Sequence, residues 1–155
     1  MSNVSRQASI SMCPNLRLNP LLAIVALAVY SHANAASWEL VVTTSAATAW
    51  VDTSSIRTID GKARVWVKFQ MTKAVPVFHD KPSPTFILAK QLSIYDCRKR
   101  TSATLQVARY ASEESSPVDQ DNTPEALATF SEVVPDTMAD RILSFVCQSA
   151  TKSKK

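Results

Sequence analysis

The chain has 155 residues, with 17 Lys+Arg against 13 Asp+Glu for a formal net charge of +4, and a single glycine. A charge so nearly balanced leaves no electrostatic footprint for nucleic acid. One glycine also excludes the glycine-rich phosphate cradles of Rossmann and Walker nucleotide folds.

Residues 1–35 read as a secretory signal peptide. Arg6 and Arg17 give a cationic start without acidic residues, Leu21 to Tyr30 is an apolar run, and Ala33-x-Ala35 is a small-residue cleavage pattern ahead of Ala36. That run, preceded by Pro20, is too short for a bilayer core, which needs about 20 apolar residues. Membrane contact is thus expected only during export. The segment ahead of the run is long, and Met12 is an alternative start; Cys13 is lost from the exported chain either way. No cysteine stands at the cleavage point to take a lipid anchor.

Residues 36–155 remain, with 15 basic and 13 acidic side chains, enough chain for one domain and one core. The domain proper is taken as 36–150. The last five residues, TKSKK at 151–155, form a basic tail, either a solvated terminus or a polycationic contact.

From Ser37 onward the dominant period is two. SWELVVTT puts Trp38, Leu40 and Val42 on one face, and ARVWVKFQMT sets Val65, Val67, Phe69 and Met71 against Arg64, Trp66, Lys68 and Gln70. Asp60-Gly61 is a strong hairpin dipeptide, expected to join 47–59 to 63–72. Asp52 with Ser54 and Ser55 is expected to end a strand through side-chain bonds to the backbone. Lys73 to Thr85, with three prolines, reads as a loop or an unpaired edge segment. The next strands carry Phe86, Leu88, Leu92 and Ile94, then Ala103, Leu105 and Val107, joined across the charged CRKR by a hairpin. Residues 112–125 read as a second polar loop. After Pro135 the period becomes helical, with Met138, Ile142, Phe145 and Val146 on one arc and Thr137 and Asp140 as a shortened capping box. These elements predict an α+β domain: an antiparallel sheet of about five to six strands with a C-terminal helix lying on it.

Cys97 and Cys147 survive export and reach an oxidising compartment, where a disulfide is the natural pairing. A metal pair would need two further ligands, and His79 is the one histidine left after cleavage. The bridge would pin the last helix to a strand end.

Chemistry-bearing sets are sparse. His79 beside Asp80 reads as a solvated loop histidine, and no nucleophile elbow accompanies it, so no catalytic residue is assigned and an enzyme is not expected. Glu113 and Glu114 are neighbours in a polar loop. Asp119, Asp121 and Asn122 start like a calcium loop but lack the glycine at the sharp turn, and Phe130 stands where the bidentate glutamate belongs. Neither metal nor cofactor is expected. Trp66 among Arg64 and Lys68 is either a protein-contact patch or a tryptophan covered by a second layer such as the helix. Arg98, Lys99 and Arg100 form a basic turn, either solvated or a docking point for acidic ligands.

The order of Trp38, WVDTSSI (Trp50 to Ile56), Gly61, the Trp66 strand, IYDCRKR (Ile94 to Arg100), Tyr110 and VVPDTMADRILSFVC (Val133 to Cys147) resembles the surface-adhesin protein E family, small exported domains of Gram-negative bacteria. The resemblance implies a non-enzymatic, disulfide-linked, curved antiparallel sheet whose characterised relatives bind host matrix or serum proteins. Two departures stand out: Pro135-Asp136-Thr137 replaces Pro-Gly-Ser, with Phe130 in place of a tryptophan, and no glycine turn follows Tyr110. The expected role is an exported protein-binding module contacting host or envelope proteins. The alternative is a periplasmic accessory domain without adhesive contact. Periplasm, cell surface and extracellular space all suit the leader, and a homodimer is compatible with the pattern.

Overall fold

The structure is a computed structural model that describes residues 35–79 and 82–152. The expected leader, with Met12 and Cys13, and the end of the basic tail lie outside the described residues. Eight strands form one open, curved antiparallel sheet: β1 (Trp38–Thr43), β2 (Ala47–Asp52), β3 (Arg57–Ile59), β4 (Lys62–Pro76), β5 (Thr85–Asp96), β6 (Thr101–Tyr110), β7 (Pro117–Asn122) and β8 (Ser131–Glu132). The order is β1-β2-β4-β5-β6-β7, with β3 on β4 and β8 on β6. A helix, α1 (Met138–Lys152), follows.

The strand number exceeds the expected five to six because polar and very short segments also pair into the sheet. Residues 117–122 pair with β6 as an edge strand, with Pro117 opening it and acidic side chains along it. An edge strand needs neither apolar alternation nor an N–H at its first residue, so its composition imitates a loop. β4 likewise runs on to Pro76, where Val75 and Pro76 pair with Phe86 and Thr85, shortening the expected loop to residues 77–84.

At the first hairpin both Asp60 and Gly61 take positive φ, 48° and 75°, as a primed turn demands. Its upstream arm is not continuous. β2 pairs with the far half of β4, β3 with the near half, and a single 3-10 turn at Thr53–Ser55 separates them. Asp52, buried, closes that turn by accepting from the Ser54 N–H (3.1 Å), the Ser54 hydroxyl (2.6 Å) and the Ser37 N–H (2.9 Å). Where the ladder is interrupted, the Ser55 hydroxyl accepts from the Trp66 N–H at 3.0 Å and donates to the Asp52 carbonyl at 2.8 Å. Ser55 thus satisfies a backbone donor in the gap between β2 and β3.

The expected face of β1 does not survive to its end. A register shift between Leu40 and Val42 leaves Leu40 57% exposed and turns Val41 and Val42 toward the core.

Thr137 caps α1, accepting from the Asp140 N–H at 3.3 Å, while the Asp140 carboxylate accepts from the Asp136 N–H at 3.2 Å. Asp136 sits at φ 59°, the left-handed region. Aspartate is among the few residues other than glycine that tolerate it. Ile142, Leu143, Val146 and Ala150 are buried against Ala49, Val51, Val65 and Val67. Leu143 stands at the centre of the packed stripe, whereas Phe145, expected there, is partly buried at its margin. Burying each larger side chain stabilises the fold by roughly 1.5–3 kcal/mol. Cys97 and Cys147 are bridged, their Cα atoms 5.7 Å apart. Leu92, Ile94, Ala103 and Leu105 form a second cluster with Trp66, Ala128 and Phe130.

Replacing both Cys97 and Cys147 by alanine should lower unfolding free energy in urea by about 4 kcal/mol, the loop-closure value for a separation of 50 residues. Burial pushes the Tyr95 phenol from 10.0 to about 12, against a smaller opposing pull from Ser93. Because the unfolded chain sheds that proton first, this contribution is intact below pH 10 and declines as pH climbs toward 12. Relative to a Tyr95→Phe variant, the protein should lose roughly 1 kcal/mol between pH 9 and pH 11 in the same assay.

Candidate functional site

The pleat of β4 sends Val65 and Val67 under α1, so Arg64, Trp66 and Lys68 point to the opposite face. That face begins at β1 and β2, where Trp50 opposes Leu40 on one side and Lys68 on the other. The Lys68 ammonium lies 4.9 Å from the Trp50 ring centroid and 5.2 Å from that of Trp38. Its side chain is 17% exposed, and its nearest carboxylate is Glu113 at 3.8 Å. Across β5, Lys90 stands opposite Lys68 and leans over the Tyr110 ring at 5.3 Å.

Trp66 is half-buried on Leu92 and borders a cleft of about 190 Å³ lined also by Gln106, Val107, Ala108, Gln120, Asp121 and Asn122. Its partial cover comes from the segment after β7, with Ala128 and Phe130 in the same cluster, and not from the helix. The reason is parity: α1 takes the face that carries small and branched residues, and the tryptophan falls on the other. Phe130 lies under the Lys62 ammonium, 5.1 Å from its ring centroid.

Trp38 and Trp50 were missed as members of this surface. Between them they hold Lys68, and with Trp66 they place every tryptophan of the chain on one sheet face. The pattern Ala47, Ala49 and Val51 against Thr48 and Trp50 carries the signal, because small residues there leave room for a helix and send Trp50 outward.

Arg98, Lys99 and Arg100 sit apart, at the β5–β6 turn. The Asp96 carboxylate accepts from the N–H groups of Lys99 and Arg98, each at 3.0 Å, and these bonds, Lys99 first, hold it below the ordinary carboxylate range. Arg100, at φ 54°, pairs with Asp140 at the start of α1, and its carbonyl accepts from the Val133 N–H at 3.0 Å. Arg100 is therefore a tether between turn and helix. Arg98 and Lys99 remain exposed beside Asp60, Gly61 and Asp96 around an open cleft of about 360 Å³.

His79 lies exposed in the β4–β5 loop. Asp119 is on β7 and pairs with Arg109, so the would-be calcium residues belong to a strand. Among the described residues, no group of three or more His, Cys, Asp or Glu side chains is placed to hold a metal ion. No helix among them is long and apolar enough to cross a membrane.

The family model described as surface-adhesin protein E matches residues 38–148. Solved structures similar to the chain include crystal form II of Haemophilus influenzae protein E, at 14% identity and TM-score 0.49, covering 66% of this chain and 82% of that one. Protein E from non-typeable Haemophilus influenzae is similar at 12% identity and TM-score 0.49, covering 96% and 88% respectively. No curated protein matches the sequence.

A double-mutant cycle on Trp50→Ala and Lys68→Met in urea unfolding should give a coupling of about 0.5–1 kcal/mol. Arg98→Gln and Lys99→Gln should each stay within about 0.5 kcal/mol of the parent.

Proposed function

The chain belongs to the surface-adhesin protein E family, and from that membership we propose that it is an exported, non-enzymatic module that meets a host matrix or serum protein with its tryptophan–lysine face. The observation that supports this reading is the gathering of Trp38, Trp50 and Trp66 with Lys68 on the sheet face that α1 leaves uncovered. Exposed apolar area is normally dispersed on a soluble domain, and aromatic side chains mixed with cations are enriched where proteins bind one another. Leu40, more than half exposed beside Trp50, extends the apolar part toward the β1 edge.

Arg64 extends the same face toward the first hairpin, while Arg98 and Lys99 offer a second, purely electrostatic contact at the sheet end. The two regions should respond differently to salt. Exposed cations are screened over about 10 Å at 0.1 M ionic strength, whereas apolar contact with the tryptophans is not. Structural work at the helix is already committed, because the bridge, Arg100 and the apolar stripe all serve to hold it down.

Protease treatment of intact cells carrying the protein should degrade it. Degradation only after the outer envelope is opened would overturn the adhesive role in favour of a periplasmic accessory domain. In pull-downs from serum or matrix extract, Trp66→Ser should reduce partner capture at least about tenfold, as expected for a central aromatic contact. Combined Arg98→Gln and Lys99→Gln should reduce capture only at low salt.

A further inference from the structure

β4 and β5 place Lys68 directly opposite Lys90. Like charges so placed have Cβ atoms about 5 Å apart and repel. The chain tolerates the pair by drawing each ammonium over aromatic rings, Lys68 between Trp38 and Trp50 and Lys90 over Tyr110. Carboxylate compensation is slight. Glu113 reaches Lys68 at 3.8 Å with its own side chain 69% exposed, and among the described residues Lys90 has no carboxylate partner. Two half-buried cations therefore face each other with less negative charge than they could hold.

We propose that Lys68 and Lys90 form a two-pronged receptor for one carboxylate side chain of the partner protein, and that Glu113 occupies it in part until the partner arrives. The site rests on the proposed contact face and adds the chemistry it selects. Its neighbours decide what kind of anion fits. In register with the two lysines stand Leu40 and Trp50 on one side and Ala108 and Gln120 on the other, so across the sheet the pair has uncharged neighbours, and along β4 Trp66 separates Lys68 from Arg64. A sulfated polysaccharide would need a continuous cationic track, and Glu113 beside Lys68 would repel an extended polyanion. An acidic residue flanked by apolar ones fits better: its carboxylate bridges the ammonium groups while its neighbours lie against Trp50 and the exposed Leu40. Displacing Glu113 costs little, since exposed ion pairs are weak.

The three tryptophans make the purified protein its own reporter. Titration with a capped Leu-Glu-Leu tripeptide should give a saturable change in tryptophan fluorescence. Lys68→Gln and Lys90→Gln should each weaken binding about tenfold, the loss of one charge-assisted contact. Glu113→Gln should strengthen it about threefold by removing the internal competitor, and Lys73→Gln, at an exposed lysine given no binding role, should leave it unchanged. Thermal midpoints of the Lys90→Gln and Glu113→Gln proteins, both substituted away from the packed core, confirm that the fold is kept. An unsaturable response, no gain with Glu113→Gln, or heparin binding that depends on the two lysines in place of the tripeptide would overturn the site. Surface exposure on intact cells with an indifferent lysine pair would remove this site and leave the adhesive role standing. Confinement inside the envelope with a responsive pair would do the reverse.

Discussion

Helix α1 is seated on one face of the sheet by Ile142, Leu143, Val146 and Ala150, and the Cys97–Cys147 bridge fastens it to the end of β5. The other contacts near the helix serve the same attachment. Arg100 reaches from the β5–β6 turn to Asp140, Val133 is tied back to the Arg100 carbonyl, and Asp136 accepts a left-handed backbone so that the chain can turn into the helix. With one face sealed this way, the opposite face has no comparable cover. It carries a smaller cluster around Leu92 and Ile94, with Trp66 roofed in part by Ala128 and Phe130, and beyond that roof Trp38, Trp50, Lys68 and Lys90 are partly exposed.

The division of labour between the faces is enforced by the long strand β4. Its alternation gives Val65 and Val67 to the helix and Trp66 and Lys68 to the open side, so a slip of one residue would exchange them. Register is held where it matters by the Asp52, Ser54 and Ser55 turn, whose hydroxyl takes up the Trp66 N–H in the gap between β2 and β3. A polar turn with no catalytic chemistry thus fixes the tryptophan at the centre of the proposed contact face. Dynamics should follow the same map, with Leu92 to Tyr95 of β5, buried on both faces, the stiffest stretch and the loop carrying Glu113 the freest to move aside.

Much of the scaffold was legible in the sequence because it depends on local rules. Asp60-Gly61 specified its turn, the alternation of β4 specified its two faces, and Thr137 with Asp140 announced the helix start. Cys97 and Cys147 could be paired from compartment and from the shortage of metal ligands, without geometry. What escaped notice was tertiary. β7 has no apolar alternation because an edge strand needs none, and the β1 register shift at Leu40 is a sheet property that no six-residue window reveals. For the site, Arg64, Trp66 and Lys68 could be grouped from their parity. Trp38 and Trp50 could not join them until the strand order placed β2 beside β4, and the Lys68–Lys90 opposition required the β4–β5 register. Arg98, Lys99 and Arg100, contiguous in sequence, turn out to be divided between solvent and a structural tether.

Hydrogen–deuterium exchange on the oxidised and the reduced protein tests most directly whether the pinned helix organises the rest. Reduction should release protection across Met138–Lys152 and, with it, the β2–β4 ladder beneath the helix, while the β5–β6 ladder keeps its protection longest. A helix that stays protected after reduction while the sheet loosens would contradict the account, and so would identical exchange in the two states.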